Sequence, residues 1–238
     1  MKAELAKVRF LPLPRWTAGV IAAAAVIVGI VLFVLELDDP EKYVSVPSAA
    51  VGPFAEFGAI VFAVWLATLE FSAGTMQRTL TAQPNRNLVL VDKLVVILAA
   101  ALVGGVLIAA TSGGLSNLAA NHAGVSIDNG ELAGTMFGSI PSWLSAAAIG
   151  FGFGLLTRSI GGGIAAAFIF VLAVDGLISF IPGLGTLSYG QLSHDLTYNI
   201  GGLGETEHGL GVAIVGTLAW CAIIVVPGWL RFLRGDLK

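Results

Sequence analysis

Ionisable side chains inside long apolar runs are the first candidates for chemistry in this sequence. Glu56 stands early in one such run, and Asp175 stands late in another. A carboxylate within a membrane is costly, and by default it faces the interior of a helix bundle or water. We therefore expect Glu56 and Asp175 either to line a translocation path or to hydrogen-bond to neighbouring helices.

The three histidines of the chain, His122, His194 and His208, all fall between the apolar runs. Beside acidic neighbours such as Asp195 and Glu207, they could supply nitrogen and oxygen ligands to a metal ion. Their spacing is irregular, and no H-E-x-x-H motif occurs. This pattern favours solvent-exposed side chains, and no metal site is predicted.

The composition indicates what kind of scaffold must position these groups. Of 238 residues, 56% are apolar and only 11% are charged, and the mean hydropathy is +0.90. Soluble domains carry about 45–50% apolar and about 25% charged residues. The net charge of −3 provides no basic groove for a nucleic acid. The sequence therefore predicts an integral membrane protein whose surroundings are the lipid bilayer.

Continuous apolar runs of roughly 20 residues, the length that crosses a bilayer as a helix, occur along the whole chain. Six such runs are predicted to span the membrane, at residues 17–35, 51–69, 94–112, 137–157, 160–181 and 209–230. Residues 1–238 are thus predicted to form one all-α polytopic membrane domain. The fourth and fifth runs are separated only by Arg158 and Ser159, which predicts a tight hairpin.

The distribution of basic residues predicts the orientation. All but one of the 12 lysines and arginines fall in segments on the same side of the six predicted spans, and the exception is Lys42. Lysine and arginine accumulate on the cytoplasmic side of membrane proteins. The chain is therefore expected in the plasma membrane of the cell. Its orientation places both termini and the loop 70–93 in the cytoplasm. The opposite segments are acidic, which is typical of solvated loops and also of a vestibule that attracts cations.

The loop 70–93 is the segment with the most specific pattern. Glu70 is expected to end the second span, and Gly74 permits a turn. Thr75 is expected to cap a short helix that runs to about Ala82, and Pro84 stops that helix.

The same loop predicts a surface helix joined to two spans. Met76, Thr79 and Leu80 have the i, i+3, i+4 spacing of one apolar helix face. Arg86 and Lys93 are expected at headgroup level. A short helix that is connected directly to two spanning helices can transmit a mechanical force to both of them.

Eight positions of this loop match a known pattern in order: Glu70, Gly74, Thr75, Arg78, Leu80, Pro84, Arg86 and Lys93. The pattern resembles the cytoplasmic loop of ABC-2-type transporter permeases, especially the small six-helix permeases of actinobacteria. The resemblance implies an ABC-2 (type V exporter-like) fold in which this loop couples to a separate ATP-binding cassette subunit. It also implies two permease chains, identical or related, with two ATP-binding subunits.

The nucleotide site is expected on that partner. No G-x-x-x-x-G-K-[ST] motif occurs in the chain, so ATP and Mg²⁺ are expected to bind the partner, and this chain is not predicted to be an enzyme or to hold a cofactor. Permeases of the family often begin with a longer amphipathic helix than residues 2–10, which Pro12 and Pro14 end here.

Two other classes of function stay open at this stage. One is an intramembrane enzyme built on Glu56, Asp175 or the histidines, and the other is a membrane signalling or immunity protein that transports nothing. Co-purification with a soluble subunit that carries a Walker motif would separate the permease from both. The transported substrate is not indicated by the sequence.

Overall fold

The computed structural model describes residues 2–235, apart from the side chains of Lys2 and Ala3, and within that range it is all helical, with no strand. Lys238, one of the residues used to predict the orientation, lies outside this range, as does the side chain of Lys2. The helices are α1 (Lys2–Phe10), α2 (Pro12–Leu35), α3 (Pro40–Ser72), α4 (Met76–Ala82), α5 (Arg86–His122), α6 (Asn129–Gly138), α7 (Ile140–Thr157), α8 (Ile160–Ile169), α9 (Asp175–Ser179), α10 (Tyr189–Gly201) and α11 (Leu210–Arg234). A π-helical segment, Phe170–Val174, joins α8 to α9, and a 3₁₀ turn, Gly185–Leu187, precedes α10.

The predicted number of spans is confirmed within the described residues. Six helical segments are long and apolar enough to cross a membrane: Pro12–Leu35, Pro40–Ser72, Arg86–His122, Asn129–Thr157, Ile160–Ser179 and Leu210–Arg234. The chain is therefore a multi-pass membrane protein.

Two spans are much longer than their apolar runs predicted. Helices α3 and α5 contain 33 and 37 residues, which correspond to about 50 and 55 Å at about 1.5 Å per residue. A bilayer core is only about 30 Å thick. Hydropathy detects the part of a helix that is apolar, so the polar extensions beyond each run were not predicted.

Helix α7 is the central element of the bundle. It packs against α3, α5, α8 and α11, and glycines allow two of these approaches. A Cβ atom on Gly150 would lie 2.7 Å from the backbone oxygen of Ile60 in α3, and one on Gly152 would lie 2.9 Å from a side-chain atom of Ile224 in α11. Small residues at such crossings let membrane helices approach closely.

The close approach at Gly150 gives a first prediction. Gly150→Ala is expected to destabilise the bundle by about 1–3 kcal/mol, the usual cost of overpacking, because the contacted atoms of Ile60 belong to the backbone and cannot rotate away. Gly19→Ala is the matched control, since no atom lies within 4 Å of a Cβ at that helical position. Thermal unfolding in detergent would measure both, and equal melting temperatures would contradict the prediction.

The bundle has two chemically different ends. The end that carries α4 and the arginines Arg86, Arg158 and Arg231 is called the basic end below, and the end that carries Glu41 and Glu131 is called the acidic end.

At the basic end, the predicted hairpin between α7 and α8 is confirmed. Arg158 adopts a left-handed φ of 55° there, and the hydroxyl of Ser159 accepts a hydrogen bond from the amide of Gly162.

Candidate functional site

The turn before α4 has the predicted conformation. Gly74 has a left-handed φ of +65°, which glycine adopts without steric cost. The amide of Gly74 donates to the carbonyl of Phe71 at 3.2 Å, and the amide of Thr75 donates to the carbonyl of Glu70 at 2.9 Å. Helix α4 then runs from Met76 to Ala82, as the sequence predicted.

The predicted cap of α4 is not formed. Thr75 occupies the N-cap position, but its side chain accepts no hydrogen bond from the first turn. Its φ of −102° and ψ of 2° differ from the extended backbone of a capping residue. The tight turn at Gly74 imposes this conformation, so the first amides of α4 are positioned by the turn and not by the threonine hydroxyl.

Helix α4 is amphipathic in the predicted sense. Met76 is only 5% exposed and belongs to the largest core cluster, together with Trp65 and Phe151, and Leu80 packs against the same cluster. The opposite face is exposed and includes Arg78. Within residues 2–235, the Arg78 guanidinium makes no hydrogen bond or ion pair.

A buried charge network joins three helices at the basic end, beside α4. This buried charge network consists of Glu4 and Lys7 of α1, Glu70 of α3 and Lys93 of α5. Lys93 is fully buried and contacts Glu70 at 2.6 Å and Glu4 at 3.4 Å. Lys7 pairs with Glu4 at 2.7 Å and also with Glu70. Two carboxylates and two ammonium groups thus balance in charge.

Two sequence expectations are corrected here. Lys93 does not project to headgroup level but lies inside the bundle, where it also donates to the carbonyl oxygen of Leu66 at 2.9 Å. Glu70 does not end its helix, which continues to Ser72, and its side chain is buried. The pairing of the two groups is the physical reason, because a buried charge is tolerated when it is paired and hydrogen-bonded.

The contribution of α1 to this network was not predicted. Burial lowers the pKa of Lys7, but the hydrogen bonds and negative charges of Glu4 and Glu70 outweigh it and leave the pKa above its ordinary value. Lys7 is therefore charged at neutral pH, and its stabilising effect is lost only as the pH rises through that raised pKa. The signal in the sequence was the presence of carboxylates, Glu4 and Glu70 among them, in segments that are otherwise rich in basic residues.

Arg86 links the end of the loop to the C-terminal end of α11 by hydrogen bonds. Its guanidinium donates to the carbonyl oxygens of Leu233 at 2.9 Å and of Gly235 at 3.3 Å, at the end of α11. A cation beside unsatisfied carbonyl groups at a helix C-terminus is stabilising. Trp229 also donates to the side-chain oxygen of Asn87 at 2.9 Å. The loop is thus tied to α11 as well as to α3 and α5.

A polar cavity of about 780 Å³ opens toward the acidic end between α3, α6, α7 and α10. Its walls include both predicted intramembrane carboxylates, Glu56 and Asp175, and also Glu41 and Glu131. Tyr189 joins the two intramembrane carboxylates, because its hydroxyl donates to Glu56 at 3.5 Å and its amide donates to Asp175 at 2.6 Å. The structure therefore brings together two residues that are far apart in the sequence.

Asp175 caps the N-terminus of α10 from a different helix, in addition to the N-cap residue Ser188, whose hydroxyl accepts from the amide of Gln191. Its two carboxylate oxygens accept from the amides of Tyr189 at 2.6 Å and Gly190 at 2.9 Å. The π-helical segment immediately before Asp175 is a local rearrangement of the kind that often accompanies functional sites. Asp175 therefore hydrogen-bonds to a neighbouring helix, which is one of its two predicted roles, and it also lines the cavity.

This cap gives a second prediction. Asp175→Ala is expected to free the first amides of α10, because no acceptor replaces the carboxylate, and to cost about 0.5–2 kcal/mol as other lost caps do. Hydrogen exchange of the amides of Tyr189 and Gly190 should accelerate selectively, while exchange at Ala213 in α11 serves as the internal control. Unchanged protection at Tyr189 would contradict the assigned cap.

The histidines have structural partners in the described residues. The ring of His208 contacts the buried carboxylate of Asp195 at 2.9 Å, and His194 stacks on Tyr198. His122 lies 3.3 Å from the carboxylate of Glu36. Among residues 2–235, no group of three or more His, Cys, Asp or Glu side chains is placed to hold a metal ion.

Comparison with known proteins identifies no relative. No family model matches the chain, and no curated protein or solved structure gives a significant match.

Proposed function

We propose that the chain is the membrane-spanning permease subunit of an ABC transporter, an exporter driven by a separate ATP-binding subunit. In this proposal the basic end and both termini face the cytoplasm, where α4 contacts the ATP-binding subunit. The fold is then of the ABC-2 type, and the complex contains two permease chains and two ATP-binding subunits. ATP and Mg²⁺ bind the partner.

The attachment of α4 to the bundle is the observation that carries the proposal. Its apolar face is anchored in the core through Met76, and its two flanking connections lead directly into α3 and α5. The buried charge network joins those same two spans through Glu70 and Lys93. A force on α4 therefore moves α3 and α5 as one unit, whereas the exposed face with Arg78 stays available to a partner.

The eight residues of the loop pattern divide into two groups under this proposal. The side chains of Arg78 and Thr75 and the turn at Gly74 face or shape the contact surface. The other five, Glu70, Leu80, Pro84, Arg86 and Lys93, act by holding α4 in place. Four of these five side chains are buried or half-buried and act without touching the partner, whereas the exposed Pro84 acts by ending α4.

The polar cavity supports the second part of the proposal, which is the path by which substrate leaves. It opens at the end opposite α4, and it is lined by Glu56 within α3 and by Asp175 at the start of α9. In the proposed mechanism, substrate leaves through this cavity, and the alternation between closed and open states follows the movement of α3. A second copy of the chain, or of a related permease, completes the path.

The experiment is co-expression of the chain with candidate ATP-binding subunits, followed by purification of the complex and reconstitution in liposomes. The proposal expects a stoichiometric complex whose ATP turnover depends on the membrane subunit. A chain that is purified from its native membrane with no ATP-binding subunit, and that alters the turnover of none, would favour the enzyme or signalling alternatives.

A further inference from the structure

An apolar groove of about 400 Å³ lies between α2 and α5, with α3 as its floor. Its volume falls in the range of about 300–1,000 Å³ that is typical of small-ligand sites. Alanines and glycines form half of its lining, including Ala22, Ala59, Ala101 and Gly104, and Phe62 also lines the groove. The hydroxyl of the one threonine on α2, Thr17, donates to a backbone carbonyl. The walls thus favour an aliphatic occupant.

The groove is held open by contacts at both of its ends. Toward the acidic end, α2 meets α5 closely, since a Cβ atom on Gly29 would lie 2.8 Å from Leu115. Toward the basic end, the buried charge network attaches α1 to α3 and α5 through Lys7 and Lys93. Helix α2 is therefore held by α5 toward the acidic end and, toward the basic end, through α1, from which only Leu11 separates it. If the groove were empty, the atoms that line it would lose favourable dispersion contacts.

The groove has the length of one leaflet. Along α2 it extends from Pro14 to Ala25, which corresponds to about 16 Å at about 1.5 Å per residue. Half of a bilayer core of about 30 Å is about 15 Å. A single acyl chain that enters from the membrane surface beside α1 therefore fits its full length.

Two arginines are the immediate neighbours in the chain of residues that line the mouth of the groove. Val8 and Pro14 line this mouth, and Arg9 and Arg15 directly follow them in the sequence. A hydrogen bond of 2.9 Å from the Arg15 guanidinium to the carbonyl oxygen of Arg9 keeps the two residues together. Both side chains are exposed, and neither forms an ion pair with a described carboxylate. Trp16, which is 73% exposed beside them, is typical of the headgroup region.

We propose that this groove binds one anionic phospholipid, with an acyl chain against the alanine and glycine walls and the phosphate on Arg9 and Arg15. The apolar walls alone would also accept a helix of a second copy of this chain. The two exposed guanidinium groups, neither of which pairs with a carboxylate among the described residues, favour the lipid, because a phosphate offers them a counter-charge and an apolar helix does not. The bound lipid is then a structural element that fills the gap between α2 and α5.

The test uses the full chain in nanodiscs that contain equal amounts of phosphatidylglycerol and phosphatidylcholine, followed by native mass spectrometry after mild release. The wild type is expected to retain one phosphatidylglycerol per chain. Gly104→Phe should abolish retention, because a side chain there projects into open space within the groove. Gly19→Phe is the matched control, since it also meets open space but lies outside the groove lining.

The headgroup contribution is tested separately. Arg9→Gln and Arg15→Gln should each lower the preference for phosphatidylglycerol about fivefold, the factor that one cation contributes near an anionic surface. Arg234→Gln, an exposed arginine elsewhere at the basic end, should leave the preference unchanged. If Gly104→Phe prevents folding, a photoactivatable phosphatidylglycerol added to the wild type tests where the lipid binds. Its cross-links are expected on α2 and α5.

Three results would overturn the proposal. The first is equal retention of the two lipids by the wild type, and the second is unchanged retention by folded Gly104→Phe. The third is a chain that purifies as a dimer which Gly104→Phe alone dissociates, since that result would assign the groove to a second copy. None of these measurements depends on an ATP-binding subunit, so the lipid site and the proposed function succeed or fail independently.

Discussion

Lys93→Met is expected to destabilise the protein by about 3–5 kcal/mol, the usual result of removing one partner from a buried ion pair. The lysine is fully buried, and its loss leaves Glu4 and Glu70 with Lys7 as their one counter-charge among the described side chains. The carbonyl oxygen of Leu66 also loses its contact with the ammonium group. Equilibrium unfolding of the purified chain in a denaturing detergent would measure the change in free energy.

A second substitution separates charge from packing. Adding Glu70→Gln to Lys93→Met restores charge balance between Glu4 and Lys7, so the double variant should recover part of the lost stability. Lys42→Met is the control, since that lysine is half-exposed at the acidic end and surface substitutions usually change stability by less than about 0.5 kcal/mol. Equal effects of Lys93→Met and Lys42→Met would contradict the network.

The short helix α4 illustrates how much of the site the sequence could predict. Its bounds and its apolar face followed from local signals, because a glycine turn, a proline and the spacing of Met76 and Leu80 are all readable within ten or so residues. The position of Lys93 could not be read locally. Its burial depends on Glu4 and Glu70, which approach it only when three helices have packed.

The polar cavity shows the same division. The apolar runs predicted that Glu56 and Asp175 would lie within spans, and the rarity of such carboxylates predicted that they would face polar surroundings. Their meeting in one cavity depends on Tyr189 of α10, which begins in a segment too polar to be predicted as a span. The π-helical segment that precedes Asp175 also has no signal in the sequence.

Arg78→Glu is expected to weaken association with the ATP-binding subunit by about 30-fold or more while leaving the fold intact. If the guanidinium pairs with an acidic groove and is buried on binding, the loss is about 2–5 kcal/mol. Stability should not change, because Arg78 is exposed and has no partner within the described residues. Affinity measured with both subunits in nanodiscs, together with stimulated ATP turnover, would record the effect.

Controls for this prediction come from the same chain. Lys42→Glu makes the same change of sign at the acidic end and should leave association unchanged, and Arg78→Lys should retain most of it. Gly74→Pro should uncouple ATP turnover from movement of the spans, because proline cannot adopt the left-handed φ of +65° at that position. Unchanged affinity and turnover in both Arg78→Glu and Gly74→Pro would contradict a coupling role for α4.

Site-directed cross-linking tests most directly whether α4 is the contact with the ATP-binding subunit. Arg78→Cys in a Cys221→Ala background places a single thiol on the exposed face of α4, and Lys42→Cys places the control thiol at the acidic end. With a short bifunctional reagent in native membranes, the thiol at position 78 is expected to capture a protein whose peptides contain a Walker motif, and the thiol at position 42 is not. Capture from position 42 alone, or of no such protein from position 78, would contradict the coupling account.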